Sequence, residues 1–220
     1  MVVLAPRRSA RDGRLSWVAV LIPAAALGVG VGVLRAVSDG PHALALLAAV
    51  ATPALAAASP RRAPLALALW LVAWLTHGLL AEAAGVALIA LASITIAELA
   101  AAVAPRWSLA AGLVALTILD VVLVWGTPQV GPASTALHAA SVPSAAGHPI
   151  PRLQDATFGA ATMGWLDLVA PALLGVVVRY RMRAAVATGL AAGAWGLLLL
   201  VTTTVPATVP TLAGLLVGRL

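Results

Sequence analysis

ATMGWLDLVAPALLGVVVRYRMR, residues 161–183, sets a long run of apolar side chains around a single aspartate, Asp167, and closes on three arginines. The run is too long for a strand and shows no period-two alternation, so it reads as a helix. It is apolar nearly all round, which suits a helix inside a large core or in lipid. A carboxylate at the centre of a helix in lipid costs roughly 2.5 to 3.5 kcal/mol to insert. Something must offset that cost.

Composition decides between core and lipid. The 220 residues are 62% hydrophobic and 9% charged, whereas a soluble domain carries about 25% charged residues. So few polar side chains cannot cover a water-facing surface, and the expected class is an integral membrane protein. Eight apolar segments follow one another, at 16–37, 41–58, 64–80, 82–104, 108–126, 156–178, 184–201 and 204–219. A spanning helix needs about 20 residues, so the second and last are short and suit tilted, re-entrant or broken helices. The expected fold is all-α, a polytopic transmembrane bundle of about eight spans. It forms a single membrane domain over 1–220, with four spans in 1–107 and four in 108–220.

All 13 basic residues are arginine, there is no cysteine, and the net charge is +6. The arginine and alanine bias suits a GC-rich bacterial genome. Without cysteine there is no disulfide framework, thiolate metal site or thiol nucleophile. If the N-terminus with Arg7, Arg8, Arg11 and Arg14 is cytoplasmic, then Arg61, Arg62, Arg106, Arg179, Arg181, Arg183 and Arg219 also fall inside, and only Arg35 and Arg152 fall outside. Eight spans with both termini inside therefore satisfy the positive-inside rule, in a prokaryotic cytoplasmic membrane. The basic balance is thereby explained by topology, without a nucleic-acid partner. The first span is longer than a signal-peptide core and reads as an uncleaved anchor. The connection 126–155, rich in Pro, Gly, Ser and Ala, is expected outside and mobile.

His77, Glu98, Asp120 and Asp167 fall within the apolar segments. Ionisable groups at membrane depth are functional candidates, against the alternative of a buried polar pair that holds helices together. At 1.5 Å per residue, Asp120 stands roughly 21 Å above Arg106 and Asp167 roughly 18 Å above Arg179. The two aspartates thus reach nearly the same level on neighbouring spans. Glu98 is lower, roughly 12 Å above Arg106, and a lone His77 is more often a packing residue. In TTTVPATVPTLAGLLVGRL the prolines Pro206 and Pro210 remove helical donors, so the last span is expected to be broken near the aspartate level. Broken backbone at that depth is tolerated where it is buried in protein or lines a wet cavity.

Two carboxylates close together in a low-dielectric site share a proton. Such a pair can hydrolyse a peptide bond with neither metal nor cofactor: one carboxylate takes a proton from water while its protonated partner polarises the scissile carbonyl. Backbone freed near Pro206 would pair with an extended substrate. Proton-coupled transport uses similar residues, and spacing does not separate the two.

The residues also resemble a known family. LDVVLVWGTP (119–128), GWLDLVAP (164–171) and VPATVP (205–210) look like the three motifs of the intramembrane aspartyl proteases, the signal peptide peptidase and presenilin family. In that family an aspartate, often after tyrosine, is followed by Gly-x-Gly-Asp in the next helix and Pro-Ala-Leu in the last. Leu119, Leu166 and Thr208 depart from the tyrosine, second glycine and leucine of the pattern. The resemblance covers residues 108–220, and the inferred orientation is that of signal peptide peptidase. It implies a presenilin-like fold and an intramembrane endopeptidase acting on membrane-spanning helices. Asp120 and Asp167 would be catalytic, Gly164 would allow close helix approach, and Pro206, Ala207 and Thr208 would shape the substrate groove. The partners implied are transmembrane helices and the lipid bilayer, with a homo-oligomer compatible. A catalytically inactive member that binds helices, and a proton-coupled transporter or channel, remain alternatives; prepilin peptidases place their aspartates differently.

Other signals are weaker. Gly28 and Gly32 in GVGVG have small-xxx-small spacing for helix packing. His138 and His148 lie ten residues apart in the long connection without the further ligands a metal needs.

Overall fold

The computed structural model describes residues 41–126, 155–159, 161–202 and 205–219. The expected first span, the arginines before residue 40, Gly28, Gly32, His138, His148 and Arg152 lie outside the described residues. Seven α-helices and one two-stranded hairpin fill the rest: α1 (Pro41–Ala56), α2 (Ala63–Leu75), α3 (Gly78–Val103), α4 (Arg106–Gly126), β1 (Asp155–Phe158), β2 (Ala161–Gly164), α5 (Trp165–Val177), α6 (Arg181–Gly196) and α7 (Val209–Arg219). A 3₁₀ turn, Leu197–Leu200, extends α6. The chain is mostly helical, as expected.

Local chemistry sets the helix limits. Pro64 sits in the first turn of α2, where its missing N–H costs nothing. That helix stops at Thr76, whose hydroxyl bonds the Val72 carbonyl at 2.6 Å. His77 is extended and Gly78 has φ +66°, a conformation glycine adopts without strain. The expected segment 64–80 is therefore divided, and His77 occupies the position just ahead of α3 rather than standing inside a span. Pro105 separates α3 from α4, and its carbonyl accepts from the Ser108 hydroxyl at 2.8 Å.

Two of the helices, α3 with 26 residues and α4 with 21, are long and apolar enough to cross a membrane. The others, at 16, 13, 13, 16 and 11 residues, fall short of the ~20 that a straight crossing requires. Two causes are local. The segment expected to run helically from 156 opens with the β1–β2 hairpin, so α5 starts at Trp165. The last helix starts at Val209, with Pro210 in its first turn and Pro206 ahead of it. The prolines thus start that helix instead of breaking it.

α3 is the hub, packing against α1, α2, α5 and β1, while α4 leans on α5 and α7. Leu109, Leu113 and Leu116 of α4 meet Val169, Leu173 and Leu174 of α5 and Leu215 of α7 in one core, and Ala56, Ala66, Leu88 and Ala92 form a second beneath α1 and α2. The outer surface is also apolar: Leu65, Leu79, Leu80, Leu99, Ile118 and Leu190 are each more than half exposed. An apolar exterior of this extent marks a surface that meets lipid or protein.

Candidate functional site

Asp120 lies on the face of α4 towards α7. Thr208, just ahead of α7, donates to its Oδ2 twice, from the hydroxyl at 2.7 Å and from the backbone N–H at 3.2 Å. Thr208 is fully buried, as is Pro206 two residues earlier. The Pro206 carbonyl, which lost its helical donor as expected, is taken by the indole N–H of Trp195 at 2.9 Å. The Trp195 ring in turn stands 5.9 Å from that of Trp125, five residues beyond Asp120 on α4. Thr211 adds a short bond from its hydroxyl to the Thr208 carbonyl. Trp195, Pro206, Thr208 and Asp120 thus form one relay. The polar groups of Pro206 and Thr208, expected at a substrate groove, are engaged inside the protein and hold Asp120.

Asp167 is placed differently from its sequence reading. It is the third residue of α5, not a mid-helix residue, and its Oδ2 accepts from the backbone N–H of Gly164 at 2.8 Å. This is half of a capping box, since glycine has no side chain to complete the other half. A carboxylate in the first turn also faces the positive end of the helix dipole. That environment offsets the insertion cost raised by the sequence. Pro171 stands four residues on, so the Asp167 carbonyl lacks its usual helical donor.

Gly164 was expected to admit a neighbouring helix. A Cβ built there meets nothing closer than Asp167 Oδ2 at 3.8 Å, and its backbone (φ −76°, ψ 163°) suits any residue. Its contribution is therefore its N–H. Asp120 and Asp167 lie within electrostatic reach of one another, and each is half-buried and gripped through Oδ2 by a backbone N–H.

The other two sequence candidates are bound elsewhere. Glu98 receives both of its bonds, at 2.5 and 2.6 Å, from Arg62, whose second nitrogen reaches Thr95 at 3.2 Å. Thr95 continues to the Leu55 carbonyl at 2.8 Å, so the network ties α1, α2 and α3 together. His77 sits in the α2–α3 turn. Among the described residues no group of three or more His, Cys, Asp or Glu could hold a metal.

Three features were not foreseen. Trp195 carries no motif that marks it as a donor. Glu82, at the start of α3, accepts the N–H of Gly159 at 2.7 Å and so holds the hairpin turn that leads to Asp167. Gly214 and Gly218 let α7 lie directly on α6 and the end of α5. Their small-xxx-small spacing was a signal available in the sequence.

No family model, curated protein or solved structure matches the chain.

Proposed function

We propose that the chain is a multi-pass membrane protein with about eight apolar passes, and an intramembrane aspartyl endopeptidase of the signal-peptide-peptidase kind. The observation that carries this reading is the approach of Asp120 and Asp167. Two carboxylates from elements far apart in sequence are carried on helices that pack together, α4 and α5, and each is fixed by a backbone N–H. In the proposed reaction one carboxylate takes a proton from water, the other donates to the scissile carbonyl, and water adds to the carbonyl carbon. The amide bond then breaks as the nitrogen takes up a proton.

A substrate helix must open before its peptide bonds can be reached. The β1–β2 hairpin lies immediately ahead of Asp167, and a hairpin has outer edges with backbone donors and acceptors. Its edge supplies partners for a short extended segment, so strand addition is the substrate-binding mode proposed here.

A second reading has its own support. The Gly164–Asp167 bond is what a helix-capping aspartate makes, which favours an inert member that binds helices without cutting them.

The test is cleavage of a single-span reporter by purified protein in bilayers, beside Asp120→Asn and Asp167→Asn. Products from wild type and none from either folded variant are expected. Intact reporter with all three proteins would leave the helix-binding reading, and cleavage surviving Asp167→Asn would defeat the pair.

A further inference from the structure

The α5–α6 turn carries Arg179, Tyr180, Arg181, Met182 and Arg183, all exposed. Its backbone is fastened to α7, because the N–H groups of Arg179 and Tyr180 both donate to the Gly218 carbonyl at 3.3 Å. The guanidinium carbons of Arg179 and Arg183 stand 5.6 and 5.0 Å from the Tyr180 ring centroid. Cation–π attraction at such distances holds both groups around one ring. Among the described residues no carboxylate pairs with any of the three arginines; the ion pair found there is Arg62–Glu98. Three cations are therefore gathered on a fixed turn with no carboxylate partner among the described residues.

The helix leading away from them is two-faced. Ala184, 2% exposed, and Thr188 meet Gly214 and Gly218 of α7. On the other face Met182, Val186 and Leu190 are 78%, 54% and 72% exposed. Spaced four apart, they form one stripe that starts beside the arginines. From Met182 to Leu190 the stripe is roughly 12 Å long, close to one leaflet of a hydrocarbon core about 30 Å thick.

We propose that this turn and stripe bind an anionic phospholipid, with the headgroup phosphate on the Arg179, Arg181 and Arg183 guanidiniums and an acyl chain along Met182, Val186 and Leu190. Guanidinium forks match phosphate oxygens in a way that a point charge does not. A free phosphate would satisfy the arginines but leave the stripe uncovered. The inference rests on the membrane reading and not on the chemistry of the aspartate pair.

The test is native mass spectrometry of the purified full chain released from mixed phosphatidylglycerol and phosphatidylcholine. Wild type should retain phosphatidylglycerol in preference, roughly tenfold or more, given three basic side chains near the headgroup. Arg179→Gln/Arg181→Gln/Arg183→Gln should abolish the preference, and the corresponding triple lysine variant should keep only part of it. Arg106→Gln, which removes a cation elsewhere, should leave it intact. Unchanged melting of the variants in pure phosphatidylcholine identifies folded proteins; if the glutamine triple melts early, the lysine triple and Tyr180→Leu carry the test. Equal retention of the two lipids by wild type, preference surviving the triple substitution, or equal loss per charge in Arg106→Gln would overturn the inference. So would displacement of the lipid by millimolar inorganic phosphate. A protein that stays in solution without detergent would overturn the membrane reading itself, and would do so before any lipid is weighed.

Discussion

The Thr208 hydroxyl donates to Asp120 Oδ2 at 2.7 Å, across 88 positions of sequence. Leucine, which the motif resembled by VPATVP has at this point, could not make the bond. The hydroxyl of Thr208 thus fastens the start of α7 to the carboxylate of α4.

Thr208→Val keeps the shape and the backbone donor but removes the hydroxyl. Hydrogen bonds to charged groups contribute about 1.5 to 3 kcal/mol, and a loss of that size should appear in equilibrium unfolding. Thr208→Ser should recover most of it. If valine unfolds like wild type, the hydroxyl is not holding the carboxylate.

Trp195→Phe removes the donor to the buried Pro206 carbonyl. An unsatisfied buried acceptor costs about 1 to 3 kcal/mol. Because Pro206 lies two residues ahead of Thr208, the proposed endopeptidase reading expects the reporter reaction to lose kcat with little change in KM. The two parameters measured on the folded variant decide whether Trp195 positions Asp120 or merely packs.

Gly214→Ala should destabilise by about 1 to 3 kcal/mol through overpacking. A Cβ there would come within 2.6 Å of Leu174 Cδ2 and 2.9 Å of the Ala184 carbonyl oxygen. Gly175→Ala is the control: nothing lies within 4 Å of its Cβ, and alanine in mid-helix should add roughly 0.5 to 1 kcal/mol. Thermal unfolding of the two variants should shift in opposite directions.

Glu98→Gln should leave reporter cleavage unchanged and cost at most about 1 kcal/mol, since its side chain is 51% exposed. Arg62→Gln should cost more, because it also abandons Thr95. A cleavage defect in folded Glu98→Gln would return that carboxylate to the site.

Long apolar runs made α3 and α4 legible, along with the helical class and the candidate aspartates. Shorter boundaries were not. DATF and ATMG, the two strands of the hairpin, are only four residues each and run straight into the apolar helix that follows them, and periodicity cannot separate such short runs. Glu98 showed as an ionisable group in an oily segment, but its partner Arg62 lies 36 positions away. Nothing local announces such a pair.

The sequence by itself determined what a local rule can decide. Long apolar runs with few charges specify a mostly helical chain, prolines 105 and 210 place helix starts, and Asp120 and Asp167 stand out as the candidate carboxylates. Only the tertiary structure decided that Glu82 holds the hairpin turn ahead of α5, that Thr208 grips Asp120, and that Trp195 takes the Pro206 carbonyl. The reason is the reach of the hydrogen bonds. A helix closes its backbone bonds four residues away, within any sequence window. The partners of the hairpin turn, of Asp120 and of the proline carbonyl are chosen by which elements pack together.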